Sequence, residues 1–317
     1  MTTLNSVTGP IDSANLGFTL MHEHVLIAAS GLTQSYPDLL GPNYEARAIE
    51  CLKKAKANGI DTMLDATTFD LGRDPKLLQR VATASGVNLI NVTGWWLDVP
   101  RFMHGVGANQ MADEFIRDST EGFRGTDIKA GMLKCAADFE GVTAPLETMA
   151  RAVARAHLQT GVPIMVHSYP TGQVARRQIQ IFREEGVDLS RVKIDHCNDT
   201  TVTEYLQWII DQGCFLGLDR YPGRYVSPHM RTVTLKRLID MGYGDRLCPS
   251  HDCICLHIHN EQADGSIESE HVFQRSNPDQ FLYMQRHVIP DLLAMGSTEQ
   301  DIQRLFVDNP RRLFEGR

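Results

Sequence analysis

Two histidines separated by one residue, His22 and His24, end the apolar run 17–21. Residues two apart on a strand point to the same side, so both imidazoles would share one face with Phe18 and Leu20. Imidazole nitrogens bind zinc, nickel, iron and copper, and the pair can therefore give one metal ion two neighbouring ligands. The alternative is two hydrogen-bonded histidines in the core, and the pair alone does not decide between them.

Four other short segments that are predicted strands contain or end in a side chain that can bind a metal or move a proton. They are Lys134 within 130–136, His167 after 162–166, His196 after 192–195 and Asp252 after 248–251. Taken singly, each has an ordinary structural explanation, such as a hydrogen bond in the core, a lysine that reaches the rim or an N-cap aspartate. Their shared position in or at the end of a strand makes them candidates for one site.

Short β-rich runs alternate with helical patterns along almost the whole chain. The predicted strands are 17–26, 61–68, 88–95, 129–137, 162–169, 191–197, 213–219 and 246–252. Eight strands, each followed by a helix, predict parallel pairing and a single (β/α)8 TIM barrel over residues 1–317. The alternative is an open doubly wound sheet, whose dinucleotide-binding form is disfavoured because no Gly-x-Gly-x-x-Gly follows the first strand.

Closure of a barrel brings the carboxyl ends of all its strands to one face. The four histidines, Lys134 and Asp252 would then meet in one small volume. Residues 254–277 follow the last predicted strand without a clear period, and a connection of that length is usually functional. We expect this long loop to lie as a lid over the same face.

Lys134 indicates what kind of site this is. An ammonium group among metal ions would be repelled and desolvated, whereas burial lowers the pKa of the amine, and a neutral amine reacts with carbon dioxide to give a carbamate. The carbamate is an anion with two oxygens and can bridge two cations. One metal ion would take His22, His24 and Asp252, and the other would take His167 and His196. Two ions about 4 Å apart can share one hydroxide as a nucleophile.

These residues stand in motifs that resemble the phosphotriesterase family of the amidohydrolase superfamily. The resemblance covers residues from about 10 to 315. The motifs are Gly-Phe-Thr-Leu-Met-His-Glu-His, the isolated Lys134, Val-His-Ser, Asp-His-Cys-Asn-Asp-Thr, Gly-Leu-Asp-Arg, Ser-His-Asp and Asn-Pro-Arg-Arg-Leu-Phe. The resemblance implies a binuclear barrel with N6-carboxylysine at Lys134, hydrolysis of ester-type bonds and a homodimer. The metals are most simply zinc, although mixed nitrogen and oxygen ligands also admit manganese, cobalt and iron.

The resemblance also implies roles for side chains beyond the metal ligands. Asp252 would take the proton from the attacking hydroxide, and Asp199 would help to pass that proton outward. Arg220 lies where the lactonase branch of the family keeps an arginine, and dedicated phosphotriesterases have a histidine there. Trp96 falls where lactonases often have tyrosine and organophosphate hydrolases have tryptophan, so Trp96 and Arg220 are expected to contact the substrate. Trp95 competes with Trp96 for this assignment.

We therefore expect a hydrolase that opens lactones or other carboxylic esters, with weaker phosphotriester hydrolysis at the same site. The polar segment 254–277, with His257 and His259, argues against a long acyl chain on the lactone. One alternative is a dedicated aryldialkylphosphatase. Another is a lactonase for phosphorylated sugar acids, which would need basic residues at the mouth, for which Arg220, Arg224 and Arg231 are the candidates.

Two further alternatives belong to other classes of protein. Lys134 could form a Schiff base with a carbonyl substrate, as in aldolase-type barrels, but the four histidines would then have no explanation. A binding protein that keeps the barrel without catalysis would show the loss of a metal ligand, and all six ligand positions are filled here. In either case the partner would still be a small molecule.

Composition excludes several other classes. The net charge of −8 argues against binding to nucleic acid or to acidic membrane surfaces. The chain has no charged N-terminal region followed by an apolar stretch and no apolar run of membrane-spanning length. The seven cysteines are odd in number and scattered, which favours free thiols in a reducing compartment, and we expect a cytoplasmic protein.

Overall fold

A barrel of parallel strands forms the centre of the molecule, as the sequence predicts. The computed structural model describes residues 2–223, 225–257, 260–261, 267–268 and 277–316. After a hairpin of β1 (Thr3–Ser6) and β2 (Gly9–Asp12), the barrel strands are β3 (Thr19–Leu26), β4 (Thr62–Asp65), β5 (Asn88–Gly94), β6 (Met132–Ala136), β7 (Ile164–His167), β8 (Val192–Ile194), β9 (Phe215–Leu218), β10 (Leu247–Pro249) and β11 (Cys253–Leu256). Each of these nine strands pairs in parallel with its neighbour, in the order β10-β9-β8-β7-β6-β5-β4-β3-β11.

The barrel closes through an interrupted last strand. β10 pairs with β9, whereas β11 pairs with β3, and only Ser250–Asp252 separate the two segments. The amide of Asp252 donates a 3.0 Å hydrogen bond to the carbonyl of His22, which joins the interruption itself to β3. β10 and β11 together therefore take the place of the eighth strand of a (β/α)8 barrel.

Helices cover the outside of this barrel. The α-helices are α1 (Leu32–Ser35), α2 (Tyr44–Ala57), α3 (Pro75–Ser85), α4 (Ala108–Thr120), α5 (Ala144–Thr160), α6 (Ala175–Glu184), α7 (Thr203–Asp211), α8 (Pro228–Leu238), α9 (Ile289–Ala294), α10 (Glu299–Gln303) and α11 (Asn309–Glu315). Among the described residues, no helix is both long and apolar enough to cross a bilayer. All seven cysteines are free thiols, as expected.

Alternation along the strands separates an outer apolar layer from an inner one. On β8, Val192 and Ile194 belong to the large cluster between barrel and helices, so the intervening Lys193 faces the barrel interior. The inner cluster contains Met165 and Phe215, which stand opposite Lys193 on the two neighbouring strands. A lysine with no exposed surface thus lies in an otherwise apolar layer below the carboxyl ends of the strands.

The prediction of a loop over 254–277 is wrong at its beginning. Cys253–Leu256 form β11, because this apolar segment pairs with the open edge of β3 and completes the barrel. His257, which follows it, is buried. A two-stranded antiparallel pair, β12 (Asn260–Glu261) and β13 (Ile267–Glu268), lies farther along. His259, Arg224 and most of the predicted lid lie outside the described residues.

Candidate metal centre and active site

The end of β3 and the interruption of the last strand bring three predicted ligands together. Nε2 of His24 lies 3.2 Å from Oδ1 of Asp252, and Nε2 of His22 lies 3.5 Å from the same oxygen. Both imidazoles are almost completely buried. Asp252 has a positive φ of 53°, which is uncommon for a residue with a side chain and is found most often at functional positions. The two nitrogens and the carboxylate oxygen form one group of donor atoms.

The ends of β7 and β8 bring together the other two predicted histidines. Nδ1 of His167 lies 2.7 Å from Nε2 of His196, and the two rings meet edge to face. His196, like Asp252, has a positive φ, of 63°. His22, His196 and Asp252 offer ligand atoms that all lie within 4.8 Å of one another. The two predicted donor groups are therefore adjacent.

The charge of Lys134 acts on histidines of both donor groups. Its side chain is 1% exposed, and Nζ donates a 2.7 Å hydrogen bond to the carbonyl of Ala66. Burial lowers the pKa of the Lys134 amine, although Asp252 acts in the opposite direction. The charge of Lys134 contributes to the lowered pKa of both His24 and His167. The amine therefore lies close enough to both histidine groups to act on each.

In each imidazole, the ring nitrogen that points away from the donor groups contacts an oxygen. Nδ1 of His22 lies 3.0 Å from Asp219 and 3.2 Å from Asp195, and Nδ1 of His196 lies 3.0 Å from the other oxygen of Asp219. The remaining two contacts are His24 Nδ1 to Thr67 Oγ1 at 2.8 Å and His167 Nε2 to Asp138 Oδ2 at 2.9 Å. Such partners fix the tautomer and orientation of metal-binding histidines.

These surroundings set the protonation of the rings. Burial lowers the pKa of His24, lowers that of His196 well below its usual value and lowers that of His167 to about 4, so these rings are neutral at pH 7 and able to bind a metal. Burial also acts to lower the pKa of His22, but the carboxylates of Asp195 and Asp219 outweigh it and raise that pKa to about 9. A cation at Nε2 of His22 would have to displace this proton.

His22, Asp195 and Asp219 offer a second group of donor atoms. The positively charged side chain of Lys193 already contacts this group. The ammonium of Lys193 forms an ion pair with Asp195 and lies 3.8 Å from Asp219. We therefore assign the two aspartates to the support of His22 and His196. Gly217 leaves room for them, because a Cβ at this position would lie 2.3 Å from an oxygen of Asp195.

Arg220 links the donor groups to the mouth of the barrel. Its Nε donates to Oδ2 of Asp252 at 3.1 Å, and its Nη1 donates to Oδ2 of Asp199 at 2.7 Å. The side chain of Arg220 is 30% exposed and that of Asp252 is 22% exposed, so the guanidinium borders both this carboxylate and the open side. The charges of His22 and Arg220 and a hydrogen bond from His24 hold the pKa of Asp252 well below its usual range, against the effect of burial.

The two adjacent tryptophans have different surroundings. Nε1 of Trp96 donates to Nδ1 of His167 at 3.2 Å, and the indole is half-buried. Trp95 is 5% exposed and packs edge-on against Phe115 of α4, outside the barrel. Of the two candidates, Trp96 therefore lies at the site.

Sequence reasoning missed most of the supporting residues. Asp195, Asp219, Lys193, Thr67, Asp138 and Glu23 were not assigned a role. The alternation of Lys193 and Asp195 with Val192 and Ile194 is the one signal that could have placed two charges inside the barrel. The carboxylate of Asp65, at the end of β4, accepts the amides of Val25 and Thr67.

The donor set suits hard or borderline divalent metals. It combines imidazole nitrogens with carboxylate oxygen in a buried cluster, and each ring is oriented by a partner oxygen or carboxylate. Burial lowers the pKa of the Lys134 amine, which favours the neutral form that reacts with carbon dioxide. The residues present therefore fit the binding of divalent cations.

Comparison with known proteins agrees with this geometry. The model of the phosphotriesterase family matches residues 2–314. The chain is 40% identical to the phosphotriesterase homology protein of Mycobacterium tuberculosis, over 99% of this chain and 98% of the relative. It is 35% identical to the aryldialkylphosphatase of Saccharolobus solfataricus, over 96% of each. The solved structure of the phosphotriesterase from Mycobacterium tuberculosis superposes with a TM-score of 0.90 at 40% identity, covering 99% and 98%.

A more distant relative carries a different name. The chain is 29% identical to the N-acetyltaurine hydrolase of Dictyostelium discoideum, over 84% of this chain and 72% of the relative. This name and the name aryldialkylphosphatase both describe enzymes that hydrolyse their substrates.

Proposed function

Because the chain belongs to the phosphotriesterase family, a family of metal-dependent hydrolases, we propose that it opens lactones or cleaves other carboxylic esters and hydrolyses phosphotriesters more slowly at the same site. The observation that carries the proposal is the convergence of donor atoms from His22, His24, His167, His196 and Asp252, with Lys134 buried on β6, next to β7, and Arg220 at the rim.

The residues of the two donor groups would hold one cation each. His22, His24 and Asp252 would hold the first, His167 and His196 the second, and the carbamate formed on Lys134 would be shared by both. When bound, two divalent cations supply an acidified water and polarise a carbonyl or phosphoryl oxygen. Zinc is the default metal, and manganese, cobalt and iron fit the same ligand types.

The other residues of the site bind the substrate and take up the proton. The carboxylate of Asp252 would accept the proton of the attacking water. The guanidinium of Arg220, next to Asp252 and partly exposed, would donate to an oxygen of the substrate on which negative charge develops. The half-buried indole of Trp96 offers a flat apolar wall for the leaving group.

The surroundings of the arginines favour a neutral substrate over a phosphorylated one. Recognition of a phosphate requires guanidinium or ammonium groups that face the mouth. Arg231, one of the candidates for such a cluster, is completely buried, and its Nε, Nη1 and Nη2 donate to Val226, Asn198 and Asp199. This leaves Arg220 as the cation at the rim among the described candidates.

Turnover by protein loaded separately with zinc, manganese, cobalt or iron tests the proposal. The substrates are neutral γ- and δ-lactones of increasing chain length, a phosphorylated lactone, an aryl ester and paraoxon. We expect kcat/KM for a neutral lactone to exceed that for paraoxon by about tenfold or more. Asp252→Asn is expected to abolish turnover of both substrates, whereas the matched control Asp211→Asn, at the exposed end of α7, is not.

Three other outcomes would each replace the proposal. A preference for paraoxon would make the protein a dedicated aryldialkylphosphatase, and a preference for the phosphorylated lactone would make it a sugar-acid lactonase. Trapping of a carbonyl substrate on Lys134 by borohydride, with full activity after chelation, would establish the Schiff-base mechanism. Metal-loaded protein that turns over none of the substrates would contradict hydrolysis of these esters altogether.

A further inference from the structure

Arg231 has an unusual environment for an arginine. Its side chain on α8 has no exposed surface, and it is the largest completely buried side chain among the described residues. Nη2 donates to Oδ1 of Asp199 at 2.7 Å, Nη1 donates to the carbonyl of Asn198 at 2.7 Å, and Nε donates to the carbonyl of Val226 at 3.0 Å. Burial of a guanidinium is costly unless it is paired and hydrogen-bonded in this way.

The loop that carries Arg220 is built against this guanidinium. Gly223, with φ of 80°, lies so close that a Cβ there would be 2.2 Å from Nε and Nη2 of Arg231. The amide of Arg220 donates to the side-chain oxygen of Asn198, whose carbonyl accepts from Arg231. Arg231 therefore joins the segment after β8 to the segment after β9.

The contacts form a row of alternating charges from the donor groups to α8. Asp252 accepts from Arg220, Arg220 donates to Asp199, and the other oxygen of Asp199 accepts from Arg231. Both oxygens of Asp199 are thus bound by guanidinium groups, and its side chain is 9% exposed.

A proton cannot pass along this row. Between Asp252 and Asp199 stands a guanidinium, which has five N–H donors, no acceptor and a proton that it does not release in proteins. The two oxygens of Asp199 are instead each held by a separate guanidinium group. Arg220 therefore separates Asp199 from Asp252 in this row, and a positioning role of Asp199 is the alternative to the expected proton transfer.

We propose that Arg231 is a positioning residue that fixes the side chain of Asp199, and that Asp199 in turn positions Arg220 towards Asp252 and the substrate. The inference rests on the proposed hydrolysis only for the role of Arg220 in turnover. The existence of the row itself is independent of any activity.

The first experiment observes the row directly in zinc-loaded protein. In a 15N spectrum of the arginine side chains, the Nε–H of Arg220 is expected to be protected from solvent exchange by its bond to Asp252. Arg231→Met should remove this protection, because Asp199 loses one of its two cations and no longer fixes Arg220. Arg73→Met is the matched control, since Arg73 is a paired arginine that packs on Phe123 away from this row.

The second experiment asks whether Arg231 acts through Arg220, with a double-substitution cycle on kcat/KM for the best lactone or ester. Arg231→Met is expected to lower kcat/KM roughly tenfold in the wild type and less than about twofold in the Arg220→Met background. Asp199→Asn should reproduce the loss seen in Arg231→Met, and the double variant of these two residues should lose little more than either alone. Zinc content is measured for every variant and is expected to remain unchanged.

Each contrary result overturns a defined part of the proposal. Persistence of the Arg220 Nε–H protection in Arg231→Met would show that Arg231 does not hold the row. An equal loss of kcat/KM in both backgrounds would show a general effect on stability instead of positioning. A fall in kcat in Asp199→Asn that Arg231→Met does not share would support a proton-accepting Asp199. Arg231→Lys, which keeps the charge but loses the fork, replaces Arg231→Met in both experiments if the latter does not fold.

Absence of turnover in the wild type would have a different meaning. It would contradict the proposed function, while the exchange measurement on Arg220 would still decide whether Arg231 holds Asp199. The two failures are therefore distinguishable.

Discussion

At the scale of single residues, Lys134 has the most demanding environment. The amine is buried, its pKa is lowered, and it is hydrogen-bonded to the backbone carbonyl of Ala66. A free ammonium among two cations would be unfavourable, whereas a carbamate would supply a bridging anion. The chemistry of this one side chain therefore decides whether the proposed centre holds two ions or one.

Lys134→Ala tests this directly. We expect the variant to lose most of its bound metal and at least about a hundredfold in turnover, because both ions lose a shared ligand. Bicarbonate with a short carboxylic acid should restore part of the metal content and activity by filling the space of the missing carbamate. Metal analysis and turnover are measured together.

The conservative comparison for this experiment is Lys129→Ala, on the connection that leads into β6. It removes a lysine from the same segment without touching the donor groups. Full metal content in Lys134→Ala would rule out the carbamate.

The sequence predicted the side chains that form the donor groups. It did not predict the side chains that contact the other ring nitrogen of each histidine. His22 and His24 lie in β3, His167 ends β7, and Asp252 lies between β10 and β11. The eight-fold alternation predicts that the carboxyl ends of the strands meet. Asp219, by contrast, supports two rings from different strands, and this can only be recognised once the register of β8 and β9 is known.

At the scale of elements, the eight predicted strands are all present, and most are shorter than predicted. β4, for example, covers 62–65 where the pattern indicated 61–68. The segment Cys253–Leu256 was not recognised as a strand, because four apolar residues without flanking turns give too weak a periodicity. Its pairing is a consequence of barrel closure, which a local pattern does not contain.

Glu23 holds this interrupted strand in place. One carboxylate oxygen accepts from the Ser250 hydroxyl at 2.7 Å and from the backbone and ring N–H groups of His251 at 3.0 and 2.7 Å. The other oxygen accepts from the amide of Cys253 at 2.9 Å. A buried carboxylate with four donors therefore connects β3 to both sides of the link that carries Asp252.

We expect Glu23→Gln to lower the free energy of unfolding by about 2–4 kcal/mol, because the amide N–H2 would face the N–H of Cys253. Denaturant unfolding at a fixed zinc concentration measures the change. Glu50→Gln is the matched control, since Glu50 is largely exposed on α2 and pairs with Lys53. Equal unfolding midpoints for Glu23→Gln and the control would contradict this role of Glu23.

His157, near the end of α5, makes stability depend on pH. Burial lowers the pKa of this imidazole, and its Nδ1–H donates to the carbonyl of Val162 at 2.8 Å. In the unfolded chain the ring takes up a proton near its usual pKa of about 6.5, while the folded state stays neutral. As the pH falls below about 6.5 the unfolded state therefore binds more protons, and stability decreases until the pH passes the lowered native pKa.

His157→Asn keeps a donor for Val162 and removes this titration. Between pH 7 and 5 the unfolding free energy of the variant should fall less steeply than that of the wild type, by up to about 1.4 kcal/mol per pH unit. His229→Asn, at an exposed position on α8, is the matched substitution. Parallel stability curves for wild type and His157→Asn would refute the prediction.

At the scale of the whole molecule, the proposed metal ligands come from separate parts of the barrel wall. His22 and His24 lie on β3, Lys134 on β6, His167 on β7, and His196 and Asp252 directly after β8 and β10. Ions held by all of them would connect strands around the circumference, at the end opposite the β1–β2 hairpin. Because such a site does not exist in the unfolded chain, the binding free energy adds to the free energy of unfolding.

Removal of the metal should therefore lower the unfolding temperature of the whole barrel. At a free zinc concentration a thousand times the dissociation constant, binding contributes about 4 kcal/mol, which corresponds to a shift of roughly 6 °C for a chain of this size. Calorimetry of chelated protein, titrated back with zinc at one scan rate, measures it. Lys134→Ala should show a smaller shift, and Lys129→Ala the full one. The contrary result is a wild-type unfolding temperature that does not change with zinc. It would mean that cations do not stabilise this end of the barrel, and that ion pairs such as those of Asp219 with His22 and His196 do.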